Sequence, residues 1–142
     1  MTISKLELQQ HYLDTIYSVF INNKKYDIRI GKLPPPAIQE VINKDKYAAV
    51  LTAWNPRSQS LSLVKNKTRN IELNRKLKEY VVFDAVGQGA DLEWLAEESC
   101  FIVGISKEEV EILAIEYEQY AYVWLEEGKE ASLIFTDVWQ SQ

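Results

Sequence analysis

Trp54, Asn55, Arg57 and Ser58 crowd one short stretch, and Asn66 and Asn70 follow one helical turn apart. Together they offer an indole, a guanidinium, a hydroxyl and carboxamides. If Ser60 or Ser62 opens a helix, its first backbone N–H groups join that set, and such a corner suits an anion or a polar ring. Glu98 stands directly before the strand-like run Ser99 to Ile105, where a strand end would present it as a general base or metal ligand. Gln119 is placed with Glu98 on the rim of the same site.

Other chemistries find little material. His11 and Cys100 are the sole histidine and cysteine, too few for a zinc site or a Cys-His nucleophile pair, and both are assigned ordinary packing roles. Asp84, Asp91, Glu93, Glu97 and Glu98 supply oxygen donors without the spacing of a known Mg²⁺ or Ca²⁺ loop, so no metal ligands are assigned. Gly87-Gln88-Gly89 lacks the third glycine of a dinucleotide loop and reads as a turn, and no phosphate-loop or nucleophile-elbow motif occurs. No cofactor is expected. Trp94 and Trp124 read as core aromatics rather than stacking platforms.

The elements that would position the corner follow from periodicity and caps. Ser4-Lys5-Leu6-Glu7 has capping-box spacing and predicts a helix ending before Asp14. Thr15 to Ile21 and Tyr26 to Ile30 read as a hairpin across Asn22-Asn23-Lys24-Lys25. A helix is expected from Pro36 to Lys44, since proline suits a first helical turn. Tyr47 to Thr52 is an apolar run fit for a central strand. From Ser60 or Ser62 to Tyr80 a helix carries Leu63, Asn66, Asn70, Leu73, Asn74 and Leu77 on one stripe. Two asparagines thus stand where leucines belong and should face inward. Strands over 81–86 and 99–105, a helix from the Ser106 cap to Gln119, and strands over 121–125 and 131–135 complete the order. This predicts one α+β, two-layer domain over 1–142, with a mixed sheet, three to four helices mainly on one face, and 1–14 as a helical extension ahead of a 15–135 core.

Composition bounds the partners. The chain of 142 residues, 46% apolar and 26% charged, can bury about two-thirds of its unfolded surface in a single domain. A net charge of −5 argues against nucleic acid. Basic residues nonetheless gather between Lys65 and Lys78, and acidic ones between Glu93 and Glu118. No apolar run is long enough for a membrane span and no signal-peptide pattern opens the chain, which leads to the expectation of a cytoplasmic protein that does not engage membranes. The lone cysteine agrees with a reducing compartment.

Thr52-Ala53-Trp54-Asn55-Pro56 with Ser58, then Asn66 and Asn70, Trp94, Glu97-Glu98-Ser99, Gly104, and Gln119-Tyr120-Ala121-Tyr122-Val123-Trp124 occur in an order that resembles the bacterial DUF3293 family. The likeness runs from roughly Tyr17 to Leu133, and the Thr-Ala-Trp-Asn-Pro segment is its most distinctive part. The family is one of unknown function, so the resemblance implies which positions recur together and supplies no reaction. Glu118 departs from it, since the family more often has glycine there.

Three functions fit these residues. A small-molecule binding domain would hold a small anionic or nucleotide-like ligand through Trp54, Asn55, Arg57, Ser58, Asn66 and Asn70, with Glu98 and Gln119 at the rim. A hydrolase-type enzyme would use Glu98 at the same corner. A protein-protein interaction module would need no pocket, only the separated acidic and basic faces. The polar residues also have a purely structural use: Asn55-Pro56 begins a turn, serines cap the helix, and the amides satisfy loop backbone.

Overall fold

Asn22 and Asn23 both hold left-handed backbone, with φ of 51° and 66°, the tight turn that suits the right-handed twist of a hairpin. They join β1 (Ile16–Ile21) to β2 (Lys24–Ile28). The structure, a computed structural model, describes residues 3–90 and 95–140. The remaining elements are α1 (Lys5–Leu13), α2 (Pro36–Asn43), β3 (Tyr47–Thr52), a single 3-10 turn over Pro56–Ser58, α3 (Leu63–Lys76), β4 (Val81–Gln88), β5 (Glu97–Val103), α4 (Lys107–Glu116), β6 (Ala121–Glu126), β7 (Ser132–Phe135) and α5 (Asp137–Gln140). Ser4, Ser62 and Ser106 cap α1, α3 and α4, each hydroxyl accepting from the N–H three residues on.

The strands form one seven-stranded sheet in the order β2-β1-β4-β5-β3-β6-β7. Every neighbouring pair is antiparallel. The mixed sheet expected from alternating helices and strands is therefore corrected. A helical crossover does join parallel strands, but no such pair is adjacent in the sheet. The two strands joined by α3, β3 and β4, flank β5, and the two joined by α4, β5 and β6, flank β3. Gly87 and Gln88 likewise belong to β4 rather than to a turn, with Gly87 paired to Tyr17 on one side and Glu97 on the other.

Side chains alternate across the sheet and sort into two cores. On one face Val50, Phe101, Val103, Val123 and Leu125 pack with Ile38 and Ile42 of α2. On the other, Leu51, Cys100, Ile102 and Trp124 pack with Leu73 and Leu77 from α3 and its C-terminal cap, and with Val110 and Ala114 of α4. Helices thus lie against both faces, α2 on one and α3 and α4 on the other, instead of mainly on a single face. A third cluster of Leu8, Tyr120 and Val138, with Tyr12, Phe135 and Trp139 against it, ties α1 to the C-terminal end. No helix among the described residues is long and apolar enough to cross a membrane.

Candidate functional site

Beyond Thr52 the chain leaves β3 through an unusual backbone. Asn55, Arg57 and Ser58 all lie in the left-handed region, at φ of 47°, 54° and 57°, where a side chain costs about 1–2 kcal/mol per residue and asparagine is best tolerated. Asn55 and Asn66 lock this turn to α3. The Asn55 N–H donates to Asn66 Oδ1 at 2.9 Å, and Asn66 Nδ2 returns a bond to Asn55 Oδ1 at 2.8 Å. That same Asn55 oxygen accepts from the Leu61 N–H at 3.0 Å, while Asn55 Nδ2 donates to Glu97 Oε1 at 3.2 Å. Asn66, 2% exposed, is therefore a brace whose amide is fully engaged by the loop.

The C-terminus of α4 docks on the same loop. The N–H groups of Glu118 and Gln119 bond back to the carbonyls of Ile115 and Ala114, the paired closure that calls for a left-handed residue just past the cap, usually glycine. Glu118 occupies that position at φ 55°, which explains why glycine is the more frequent residue in the family it resembles. Its carbonyl accepts from the Arg57 N–H at 2.8 Å and its carboxylate from Arg57 Nε at 3.0 Å. Gln119, buried, donates to the carbonyls of Trp54 and Tyr117. Arg69, which lies off the helical stripe of Asn66 and Asn70, completes the joint by donating to Ala53 O at 2.6 Å and Tyr117 O at 2.8 Å. No spacing in the sequence announces that role.

A cavity of about 600 Å³ opens beside this joint, on the sheet face that α2 only partly covers. Its floor is made of short side chains where five strands approach their ends: Thr52, Gly87, Ser99 and Ala121, with Val50 and Val123 deeper. In the row Tyr17–Gly87–Glu97 the missing side chain at Gly87 leaves room between a tyrosine and a carboxylate. A Cβ on Gly87 would meet the Tyr17 ring no closer than 3.5 Å. Leu8, His11 and Tyr12 of α1 add a wall, and Trp54 and Tyr120 extend the aromatic lining.

Of the residues expected to form a site, Trp54, Asn55, Ser58 and Gln119 line this cavity. Asn66 borders a smaller pocket of about 200 Å³ on the far side of Trp54 and Asn55. Arg57 faces Glu118, and Asn70 lies against the other sheet face, its Oδ1 receiving a long contact from Cys100 Sγ at 3.9 Å. Glu98 also points to that other face, toward Lys67 Nζ at 3.4 Å. Because β5 begins at Glu97, alternation delivers Glu97 rather than Glu98 to the cavity. The period of two was the available signal; it was lost when the strand was started at Ser99. Trp94, Asp91 and Glu93 lie outside the described residues.

Electrostatically the cavity is short of positive charge. Neither lysine nor arginine is among its described lining residues, whereas Glu97 and Asp14 are. The anionic ligand expected from Arg57 thus gains no support from the lining. Burial holds the Glu97 carboxyl above the usual carboxylate range, with the Asn55 amide partly offsetting it. Burial, then the charge of Glu97, pushes the Tyr12 phenol up. Tyr17 is raised first by burial, then by Tyr12, with Glu97 a smaller contribution and Thr15 opposing. Among the described residues Trp54 Nε1 is buried without a hydrogen-bond partner, an omission worth about 1–3 kcal/mol. Backbone strain and an orphaned donor beside one cavity mark a place where local stability is sacrificed. No group of three or more metal-binding side chains occurs among the described residues.

Two predictions arise from this geometry. Glu97→Gln keeps an oxygen for Asn55 Nδ2 and removes a desolvated charge, so it should raise the melting temperature of the unliganded protein at neutral pH. The sign follows from linkage: a carboxyl with a raised folded-state value binds its proton more tightly in the folded state, so its contribution to stability falls as pH rises from the ordinary carboxylate range through the raised value. The advantage of glutamine should accordingly shrink in acid, and melting curves across pH that show no such convergence would refute it. Arg57→Ala, in contrast, removes a pair whose side chains are 36% and 49% exposed, and a loss below about 1 kcal/mol is expected in urea titrations.

Residues 51–122 match the model of a family described as "Protein of unknown function (DUF3293)", a shorter stretch than the 17–133 over which the resemblance was read. No curated protein and no solved structure matches the chain.

Proposed function

From the premise that this chain belongs to the DUF3293 family, whose description assigns no activity, we propose that it is a small-molecule binding domain whose ligand enters the cavity between α1 and the sheet. The observation that carries this reading is the Glu97 carboxyl, oriented by Asn55 on the wall of a 600 Å³ cavity whose lining also includes tyrosines, Trp54 and several short side chains. That volume lies in the range of roughly 300–1,000 Å³ usual for ligand sites, and an apolar lining with a few placed polar groups is their common make-up. The matched segment supplies much of it, from Thr52 and Trp54 through Gly87, Glu97 and Ser99 to Tyr122. The ligand of this reading is compact and ring-bearing, and the phosphate cradle needed for a nucleotide is missing from the lining. The interaction-module alternative rests on α3, where Val64 is 74% and Ile71 54% exposed, scattered apolar exposure of a kind ordinary surfaces also show.

A fragment screen by thermal shift, using small aromatic amines, alcohols and acids, tests the reading. At least one class should raise the melting temperature of the native chain. Gly87→Leu, which fills the gap between Tyr17 and Glu97, should erase that shift. If no fragment stabilises the native chain, or the shift survives in Gly87→Leu, the cavity is not a binding site.

A further inference from the structure

We propose that the cavity is a receptor for a compact organic cation, an ammonium or protonated ring nitrogen seated against Glu97 with its apolar body among the rings of Tyr12, Tyr17 and Trp54. This deepens the preceding reading and rests on the cavity being a binding site.

Three independent features select a cation over a neutral or anionic occupant. The first is charge inventory. The basic side chains nearest in sequence to the site are engaged elsewhere: Arg57 with Glu118, Lys67 with Glu98, and Arg69 with two carbonyls. Arg29 and Lys5, which approach α1 and the C-terminal end, contact the Leu13 carbonyl and the Phe135 ring. An anion entering the cavity would meet Glu97 and Asp14 with no lysine or arginine among the described lining residues, an arrangement that Coulomb repulsion in a partly desolvated space disfavours.

The second is the lining. Aromatic faces carry negative potential and attract a cation within about 6 Å of the ring centre. Tyr12, Tyr17, Trp54, Tyr120 and Tyr122 line the cavity together with the carboxylates of Glu97 and Asp14, a composition that recognises ammonium groups rather than phosphate or carboxylate.

The third is the state of the carboxylate itself. Asn55 Nδ2 engages Oε1, and it is the one hydrogen-bond donor to the Glu97 carboxylate among the described residues, Ser99 Oγ donating to the Glu97 backbone carbonyl instead. A carboxylate has about four acceptor sites, so capacity remains for a donor supplied by a ligand. Burial disfavours the charged form of Glu97, and the negative field it creates is felt at Tyr12 and Tyr17. An ammonium group relieves both effects at once, restoring the ionised carboxylate by direct pairing.

The test is calorimetric titration of the full chain at neutral pH with three compounds of like shape: phenethylamine, 2-phenylethanol and 3-phenylpropionate. Phenethylamine should bind at least about tenfold more tightly than 2-phenylethanol, the combined effect of one charge pair and ring contacts, and 3-phenylpropionate most weakly. In Glu97→Gln the amine's advantage over the alcohol should fall to within about threefold. The comparison within the native chain decides the matter even if the variant does not fold. Equal binding of amine and alcohol, or preferred binding of the acid, would overturn the cation assignment and leave the cavity reading standing, provided the binding is lost in Gly87→Leu. An amine preference that persists in Glu97→Gln would also overturn it. Failure of all three compounds to bind would remove the assignment together with the cavity reading for ring-bearing ligands.

Discussion

Replacing Asn55 with alanine is expected to destabilise the protein by about 3 kcal/mol, because it removes a side chain and violates a backbone preference at once. The carboxamide oxygen accepts from Leu61 N–H and Asn66 Nδ2, and its nitrogen holds Glu97. Alanine strands the Leu61 N–H, leaves Asn66 Nδ2 only its bond to the Leu61 carbonyl, and keeps a Cβ at φ 47° without the carboxamide that makes left-handed backbone tolerable. Asn55→Gly separates the two contributions. Glycine accepts left-handed backbone freely, so it should recover about 1 kcal/mol of the alanine loss while leaving the hydrogen bonds unmade. Urea unfolding of the three proteins decides the point: equal midpoints for the alanine and glycine variants would discredit the backbone contribution, and an alanine loss under about 1 kcal/mol would discredit the network. A loosened Asn55 also frees Glu97, so the amine preference should weaken in both variants.

The hub position of Asn55 was half-visible in the sequence. Trp54-Asn55-Pro56 read as a strand exit because proline cannot continue a ladder, and the bounds Tyr47–Thr52 of β3 came out as expected. Asn66 and Asn70 read as inward-facing because they fall on a leucine stripe, and both are buried. What period and propensity could not supply is which inward face a residue meets. Asn66 turns to the loop, whereas Asn70 lies over Cys100 on the face away from the cavity. Glu97 and Glu98 are neighbours in sequence and opposite in space, so beginning β5 two residues late exchanges the buried carboxyl for the solvated one. Strand order is a further loss. An alternation of helices and strands does not say that β5 will return between β3 and β4, and this insertion makes the sheet antiparallel. The contribution of α1 was out of reach altogether. His11 and Tyr12 lie far along the chain from Trp54 and Glu97, and only the third core cluster brings them to the same cavity.

Arg69→Ala should cost about 2–3 kcal/mol, the usual loss for hydrogen bonds that involve a charged group. Its guanidinium spans two elements, with Nε on Ala53 O at the end of β3 and Nη2 on Tyr117 O at the end of α4. Tyr117 O keeps the Gln119 amide as a second donor, but Ala53, fully buried, loses its side-chain partner. The Tyr117 ring, 5.5 Å from the guanidinium carbon, loses a cation-π contact as well. Lysine should rescue little, since a single ammonium cannot reproduce a planar fork that serves two carbonyls. The more discriminating measurement is amide hydrogen exchange. The Arg57 N–H bonds to Glu118 O, and the Gln119 N–H closes the end of α4. Both should lose protection beyond the global loss in Arg69→Ala, while amides in the Tyr17–Ile28 hairpin should change only with global stability. If protection falls uniformly, Arg69 is an ordinary contributor to folding. If it falls at these two amides first, the joint between β3 and α4 is a separately opening unit that sets the position of Trp54, Asn55 and Gln119 on the cavity wall, and weakened amine binding in the variant would then arise without any change to Glu97 itself.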